Sequence, residues 1–489
     1  MSRTTFSAAI LLMLMPGAPA LGTDVSGDQT GTWTLAGSPY MLVGDVRVPP
    51  GGSLTIEPGV EVIAQGHYKL TVESSILAAL GMDAQPILMT AEDTGTGWRG
   101  LRLEGADDDT ILRSCIIEYA KGTGDYPEVR GGAIMIRNCS PTIANCELRF
   151  NYSHNANYNG TGGGICTETS SALIIGNFVH DNIADSGGGI CTTEYGDPVV
   201  SGNTIVDNTA YYAGGGMYFG ARSSPLIEGN ILMRNHAGGW GGGAINSWTS
   251  YIYYSTFATI RNNLIASNTA NDGGGLYCRY DRAVITNNVI AYNSAQAGGG
   301  IYALNYPAQA PQVANSILWE NSASNGPQVY LYPDTGSAIS IAYSDIQGGW
   351  TGTGNIDADP AFVDPDGDDD VLGTDDDNLR LNGGSPCIDA GNNSALPPEV
   401  EHDLDGNPRF VDDPDTEDTG YGDPPIVDMG PYEFQANIPG DVNGDGVVNT
   451  ADLLLLLAAW GPCPGCPEDI NGDGIVNTTD LLILLGNWG

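Results

Sequence analysis

Positive charge is scarce in this chain. Lys and Arg number 17 against 59 Asp and Glu, for a net charge of -42. Such a surface repels nucleic acid and anionic lipid and attracts divalent cations. Histidine is also rare, at five residues, so His-based chemistry has few places to sit. Long apolar runs are missing too. The run Ile10 to Met15, with Arg3 before it and Ala18-Pro19-Ala20 after it, reads as a secretory signal peptide over residues 1–20. No later run is long and apolar enough to span a bilayer. A secreted, extracellular protein is expected, held at a cell surface only through a partner. The 69 glycines follow no Gly-X-Y triplet, which excludes collagen. Nine cysteines are an odd number, and their pairing cannot be read from sequence.

What is present is a repeat. A Gly-Gly-(Gly/Ala)-apolar motif starts at Gly131, Gly162, Gly187, Gly214, Gly242, Gly273 and Gly298, in steps of 31, 25, 27, 28, 31 and 25 residues. Between these lies Asn-apolar-apolar-x-x-Asn, at Asn177–Asn182, Asn203–Asn208, Asn230–Asn235, Asn263–Asn268 and Asn288–Asn293. Units of this size, with short apolar strands and no helical period, point to a β-solenoid. A β-propeller would need longer blades. Val179, Ile205, Leu232, Ile265, Ile290 and Leu318 should stack inward, as should Ile165, Ile190, Met217, Ile245, Leu276 and Ile301. Asn and Gly are expected at turns that require left-handed backbone angles, with the Asn amides bonded from rung to rung. Cys115 and Cys146 share one column, and Cys166 and Cys191 another. Each pair could be buried thiols or a cross-rung disulfide, the thiols being the favoured reading.

The pattern resembles the right-handed parallel β-helix of the pectin-lyase-like class over about residues 30–350, at roughly a dozen rungs. Gly52-Ser-Leu-Thr-Ile-Glu-Pro-Gly-Val60, Pro86-Ile-Leu-Met-Thr90 and Trp98-Arg-Gly-Leu101 are similar to the opening rungs of such proteins. The resemblance implies lyase or hydrolase chemistry on polysaccharide, yet the strings that accompany it are missing. There is no Asn-Thr-Asp, Gly-His-Gly, Arg-Ile-Lys or Arg-x-Pro-x-x-Arg.

Four divisions are expected: a signal peptide (1–20), the parallel β-helix (21–355), an Asp/Gly/Pro-rich cap and linker (356–436) and a calcium module (437–489). The third contains Asp357-Ala-Asp-Pro-Ala-Phe362, Gly384-Ser-Pro-Cys-Ile-Asp-Ala-Gly391, Asp403-Leu-Asp-Gly-Asn-Pro-Arg409 and Asp428-Met-Gly-Pro-Tyr-Glu-Phe434. These are similar to the choice-of-anchor-type region that follows many bacterial surface β-helices. That resemblance implies a cap over the open end of the solenoid.

The last fifty residues are the most specific. Asp441, Asn443, Asp445, Val447 (through its carbonyl), Asn449 and Asp452 occupy positions 1, 3, 5, 7, 9 and 12 of a calcium loop. Asp469, Asn471, Asp473, Ile475, Asn477 and Asp480 repeat it 28 residues later. Two calcium ions are therefore expected. Leu453, Leu456, Leu457 and Trp460, and their counterparts Leu481, Leu484, Leu485 and Trp488, should form one buried face. Leu454, Leu455, Leu482 and Ile483 lie off it and should be covered by a partner or by the preceding domain. Loop-then-helix in duplicate resembles a type I dockerin. The resemblance implies a cohesin-like partner chosen in part by loop positions 10 and 11, here Thr450-Ala451 and Thr478-Thr479. Cys463-Pro-Gly-Cys466 between the repeats should close a small local disulfide.

On the solenoid, Glu168 and Glu194 follow neighbouring glycine motifs and could stack as paired carboxylates. His180, Asp181 and Asp207 lie on outward positions of another face. Tyr211, Tyr212, Trp240, Trp248, Tyr251 and Tyr253 form an aromatic cluster suited to sugar rings. Two functions stay open: a dockerin-borne protein that engages and degrades polysaccharide, or a non-catalytic surface or matrix rod displayed through the same module.

Overall fold

The computed structural model describes residues 22–157, 160–220, 222–248, 257–435, 439–443 and 448–488. The expected signal peptide lies outside them. No helix among the described residues is long and apolar enough to cross a membrane.

The chain winds into a parallel β-solenoid, and one rung shows how. Leu173–Ile175 forms the first face, Phe178–His180 the second, Ile183–Ser186 the third and Ile190–Thr193 the fourth. The first face stacks into a 12-stranded sheet and the third into an 8-stranded one. The second and fourth are joined by the long strand Tyr40–Val48 into a single 23-stranded sheet. Every ladder between rungs is parallel. In the second face Val179, Ile205, Leu232, Ile265, Ile290 and Leu318 are in register and fully buried. Ile165, Ile190, Met217, Ile245, Leu276 and Ile301 do the same in the fourth. The first face adds a third column, Ile174, Val200, Ile227, Ile260, Ile285 and Val313.

The two Asn columns are ladders inside the corners. Asn151, Asn182, Asn208, Asn235, Asn268 and Asn293 each donate Nδ2 to the Oδ1 of the next, ending at Asn321, at 2.9–3.1 Å. The backbone N–H of each donates to the same oxygen one rung on. Asn177, Asn203, Asn230, Asn263 and Asn288 form the second ladder. One expectation is corrected here: these Asn are not left-handed. The positive φ falls one residue earlier, at Gly176, Gly202 and Gly229 in one corner and at Asp181, Asp207 and Arg234 in the other. The corner residue turns outward so that the Asn behind it can point in. At the glycine corner the first Gly does take positive φ, as at Gly187 (65°). A Cβ on the second, Gly188, would sit 2.4 Å from the carbonyl oxygen of Gly215 in the next rung.

The ladder carries an expected result. Asn235 donates to the Ile205 carbonyl and to Asn268, and accepts from Asn208. Asn235→Ala strands several buried groups at about 1–3 kcal/mol each, so a loss of roughly 3 kcal/mol is expected. Urea unfolding checks it. A surface Asn→Ala should change little.

Cys115 and Cys146 stack within hydrogen-bond reach, and Cys166 pairs in register with Cys191. All are free thiols, as are Cys139, Cys278 and Cys387, and all seven are buried. Cys463 and Cys466 form the local disulfide.

The acidic third division departs from expectation. It does not cap the open end. Leu379, Leu381, Ile388, Ala390 and Met429 pack on Val206, Met233, Leu264, Ala266, Val289, Ala291 and Ile317, the outer side of the second face. Asn287 and Asn315, two left-handed corner residues, donate to the carbonyls of Asp428 and Asn392. Residues 357–434 thus run along the flank of the solenoid. The last rung is closed instead by the turn after Ile346, where Trp350 packs on the core and Asn355 bonds to the Ile341 carbonyl.

Two helices follow, α1 (Thr450–Ala458) and α2 (Thr478–Gly486). Leu456, Leu484, Val448 and Val476 are their buried centre, flanked by Leu453 and Leu481. Leu457, Leu485, Trp460 and Trp488 were expected in that centre and are exposed. A nine-residue helix paired with only one other has a single narrow buried stripe.

Candidate functional site

The second calcium loop is fully described. Asp469 accepts from the backbone N–H groups of Asp473 (3.1 Å) and Gly474 (2.7 Å). Asp473 accepts from Ile475, and Asn471 accepts from Asp473. Asp480 is fully buried, accepting from Asn471 and Asn477. These bonds curl the loop back onto the start of the helix. The helix start is built from the same residues: Asn477 caps α2 and Asp480 closes the capping box. The first loop repeats the arrangement, with Asn449 capping α1 and buried Asp452 accepting from Val442, Asn443 and Asn449. Asp445 and Val447 lie outside the described residues.

Charge supplies the test of fit. Residues 437–489 hold seven carboxylates, Asp441, Asp445, Asp452, Glu468, Asp469, Asp473 and Asp480, and no Lys, Arg or His. Two of these acids are buried with no cation of the protein beside them. Oxygen-only loops with unneutralised buried charge fit calcium.

Around them the surface is apolar. Leu454 (63% exposed), Leu455 (40%) and Leu482 (69%) face out, as expected, while Ile483 is half-buried. Thr450, Ala451, Thr478 and Thr479 are all exposed on the first turns of the helices.

On the solenoid, the structure gathers part of the aromatic cluster. Tyr212, Trp240 and Trp248 line a cavity of about 230 Å³ with Ser186, Tyr218, Asn246, Tyr277 and Arg279. Trp248 lies edge-on to Trp240 and to Tyr218, each at 6.3 Å, and the Arg279 guanidinium sits over it at 5.3 Å. Asn246 Oδ1, Trp248 Nε1 and Arg279 Nε are buried there without partners among the described residues. These two donors and one acceptor are therefore buried within the wall of the aromatic cavity. Burial pushes the Tyr277 hydroxyl up to about 12 and that of Tyr218 further, so both stay protonated. The aromatic wall continues down the fourth face, where Tyr277 stacks on Tyr302 (4.9 Å) and Tyr330 lies tilted against Tyr302 (5.1 Å). Tyr211 is elsewhere, 5.2 Å from the His154 ring. Tyr251 and Tyr253 lie outside the described residues.

The carboxylate candidates do not assemble. Glu168 is in register with Thr193, whereas Glu194 is the exposed left-handed residue one position on, aligned with Thr169. A one-residue offset places the two on different sides of a turn, so they form no pair. Glu168 is buried, accepting from the Tyr126 hydroxyl at 2.7 Å, with Arg130 at 3.7 Å. His180 is held between Asp181 (2.8 Å) and Glu147 (3.2 Å) and stacks on Phe178. Asp207 is paired with Arg234 at 3.0 Å.

Sequence reasoning missed Tyr218, Asn246, Tyr277 and Arg279. Their signal was available: the first three hold the second strand position after each glycine motif, and that column faces outward. It also missed His154, whose Nδ1 meets the buried carboxylate of Asp185 at 2.6 Å. Gly160 N–H donates to the other Asp185 oxygen. No spacing in the chain foretells that pair.

Comparison with known proteins adds four findings. The family described as right handed beta helix region matches residues 97–247. The family described as dockerin type I domain matches residues 439–486. No curated protein matches the chain. Among solved structures, the crystal structure of pectate lyase Pel9A is similar at 14% identity over 79% of this chain and 88% of that one, with a TM-score of 0.41.

Proposed function

We propose that this chain, a right-handed parallel β-helix joined to a type I dockerin domain, is an extracellular glycan-engaging protein mounted on a cohesin-like partner through calcium. The observation that carries the glycan reading is the cavity walled by Tyr212, Tyr218, Trp240, Trp248 and Tyr277, whose wall holds three polar atoms without partners among the described residues. Aromatic faces supply apolar contact for the C–H side of a sugar ring, and the polar groups serve its hydroxyls. The Asp441–Asp452 and Asp469–Asp480 loops would hold one calcium ion each. Type I dockerins bind calcium, and the cation would neutralise the buried Asp452 and Asp480 carboxylates. The exposed Leu454, Leu455 and Leu482, with Thr450-Ala451 and Thr478-Thr479 beside them, form the docking face.

Cleavage is a second reading. His154, oriented by buried Asp185 and standing outside the lining of the aromatic cavity, favours it. An imidazole held by a carboxylate is suited to general base work. A panel of neutral, uronic and sulfated glycans, run in millimolar calcium, tests both readings. Retention on at least one glycan is expected. New reducing ends or unsaturated uronides that vanish in His154→Ala would establish cleavage. No retention across the panel sinks the glycan reading and leaves a structural rod.

A further inference from the structure

The flank segment holds a cluster of acids that neither the calcium loops nor the aromatic cavity uses. Asp389 sits in it at the end of the buried run Cys387-Ile388. Its backbone is fixed at every polar atom. The N–H donates to Asp428 Oδ1 at 2.7 Å, and the carbonyl accepts from Thr419 and Gly420. Asp389 Oδ2 accepts from the Asp413 N–H at 3.2 Å. Its Oδ1 is buried and has no partner among the described residues. One carboxylate oxygen from each of Asp389, Asp412 and Asp418 lies within 4.8 Å of the other two. No Lys, Arg or His pairs with any of the three among the described residues, although Arg380 and Arg409 pair with other acids of the segment.

We propose that Asp389, Asp412 and Asp418 form a third divalent-cation site, separate from the C-terminal module and selective for calcium. An orphaned buried carboxylate oxygen is unfavourable unless a charge meets it. The donors are all oxygen, which suits a hard cation and not zinc. Coordination habit separates calcium from magnesium. Calcium accepts an irregular, flexible shell of protein oxygens, whereas magnesium demands a near-octahedral one and keeps most of its waters. Water and backbone carbonyls would complete the sphere. Burial, reinforced by Asp412 and Asp418, also pushes the Asp389 carboxyl up to about 6, as expected where positive charge is missing.

The site would have a mechanical role. Asp412 and Asp418 flank an exposed turn, and Asp389 ties that turn to Asp428. The Asp428 carbonyl in turn accepts from Asn287 of the solenoid at 3.0 Å. A bound ion would therefore fasten the flank segment to the rungs.

Equilibrium dialysis of the full chain against calcium alone tests this. Asp412→Asn and Asp418→Asn combined is the variant of choice, because both side chains are exposed and the buried Asp389 is left in place. It should bind one calcium fewer per chain than the parent. Asp452→Asn with Asp480→Asn serves as background. In that background calcium should still raise the melting temperature of the solenoid, and adding the Asp412 and Asp418 changes should abolish the rise. Equal stoichiometry in parent and variant up to millimolar calcium, or a rise that survives in the combined variant, would overturn the proposal.

Discussion

Chelating calcium should abolish docking while leaving the solenoid folded. The C-terminal module has a buried centre of four side chains, Leu456, Leu484, Val448 and Val476. Domains below about 70 residues rarely fold on so small a core without a staple or metal. Cys463–Cys466 spans only three residues, so it closes a minimal loop and removes little unfolded-state entropy. Seven carboxylates without a single cation then repel one another, and buried Asp452 and Asp480 sit in the first turns of α1 and α2. Their N-terminal backbone N–H groups offset only part of that charge. The folded apo module should be disfavoured by about 3 kcal/mol or more, which lowers affinity for a cohesin-type partner by roughly 100-fold or more. The same loss is expected for Asp452→Asn with Asp480→Asn in the presence of calcium. Circular dichroism should lose its small helical part and keep the β signal. Docking that weakens less than twofold in chelator would mean the module needs no metal.

Removing Trp248 should weaken glycan binding more than any other single change on the solenoid. Its ring meets Trp240, Tyr218 and the Arg279 guanidinium, so it organises the cavity as well as lining it. Central aromatic anchors of this kind cost about 2 kcal/mol or more on truncation, or roughly 30-fold in affinity. Trp248→Phe keeps a ring face and loses the unpaired Nε1 donor, so an intermediate loss is expected. Trp240→Ala should cost less, because Trp240 is 63% exposed. Tyr421→Ala, on the flank segment, should change nothing. Affinity electrophoresis on whichever glycan is retained measures all four, and equal mobility of parent and Trp248→Ala would remove the cavity from the account.

Much of this was legible because a solenoid writes its fold into its period. Each rung needs the same apolar residue inward and the same corner chemistry, so Val179 to Leu318 and the Asn ladders can be read as columns. What escaped the reading depended on single-residue phase or on distant packing. The left-handed residue precedes the ladder Asn, as at Asp181 before Asn182, since the Asn must point in to reach its neighbour. Glu168 and Glu194 fail to meet for the same kind of reason. The flank segment carries too little periodic apolar signal to show where it packs, and its contacts with Val206 and Met233 join residues far apart in sequence. The loop-then-helix pattern of the C-terminal module was legible because its residues are local in sequence. The helix faces were less so: Leu457 and Leu485 satisfy a buried spacing, yet both stand exposed among the described residues.

Hydrogen exchange of the full chain, with and without a retained glycan, tests the central claim most directly. The account predicts new protection at Tyr212–Tyr218, Trp240–Trp248 and Tyr277–Arg279, with the calcium loops unchanged. Protection confined to the flank segment or to the outer side of the first face would contradict it.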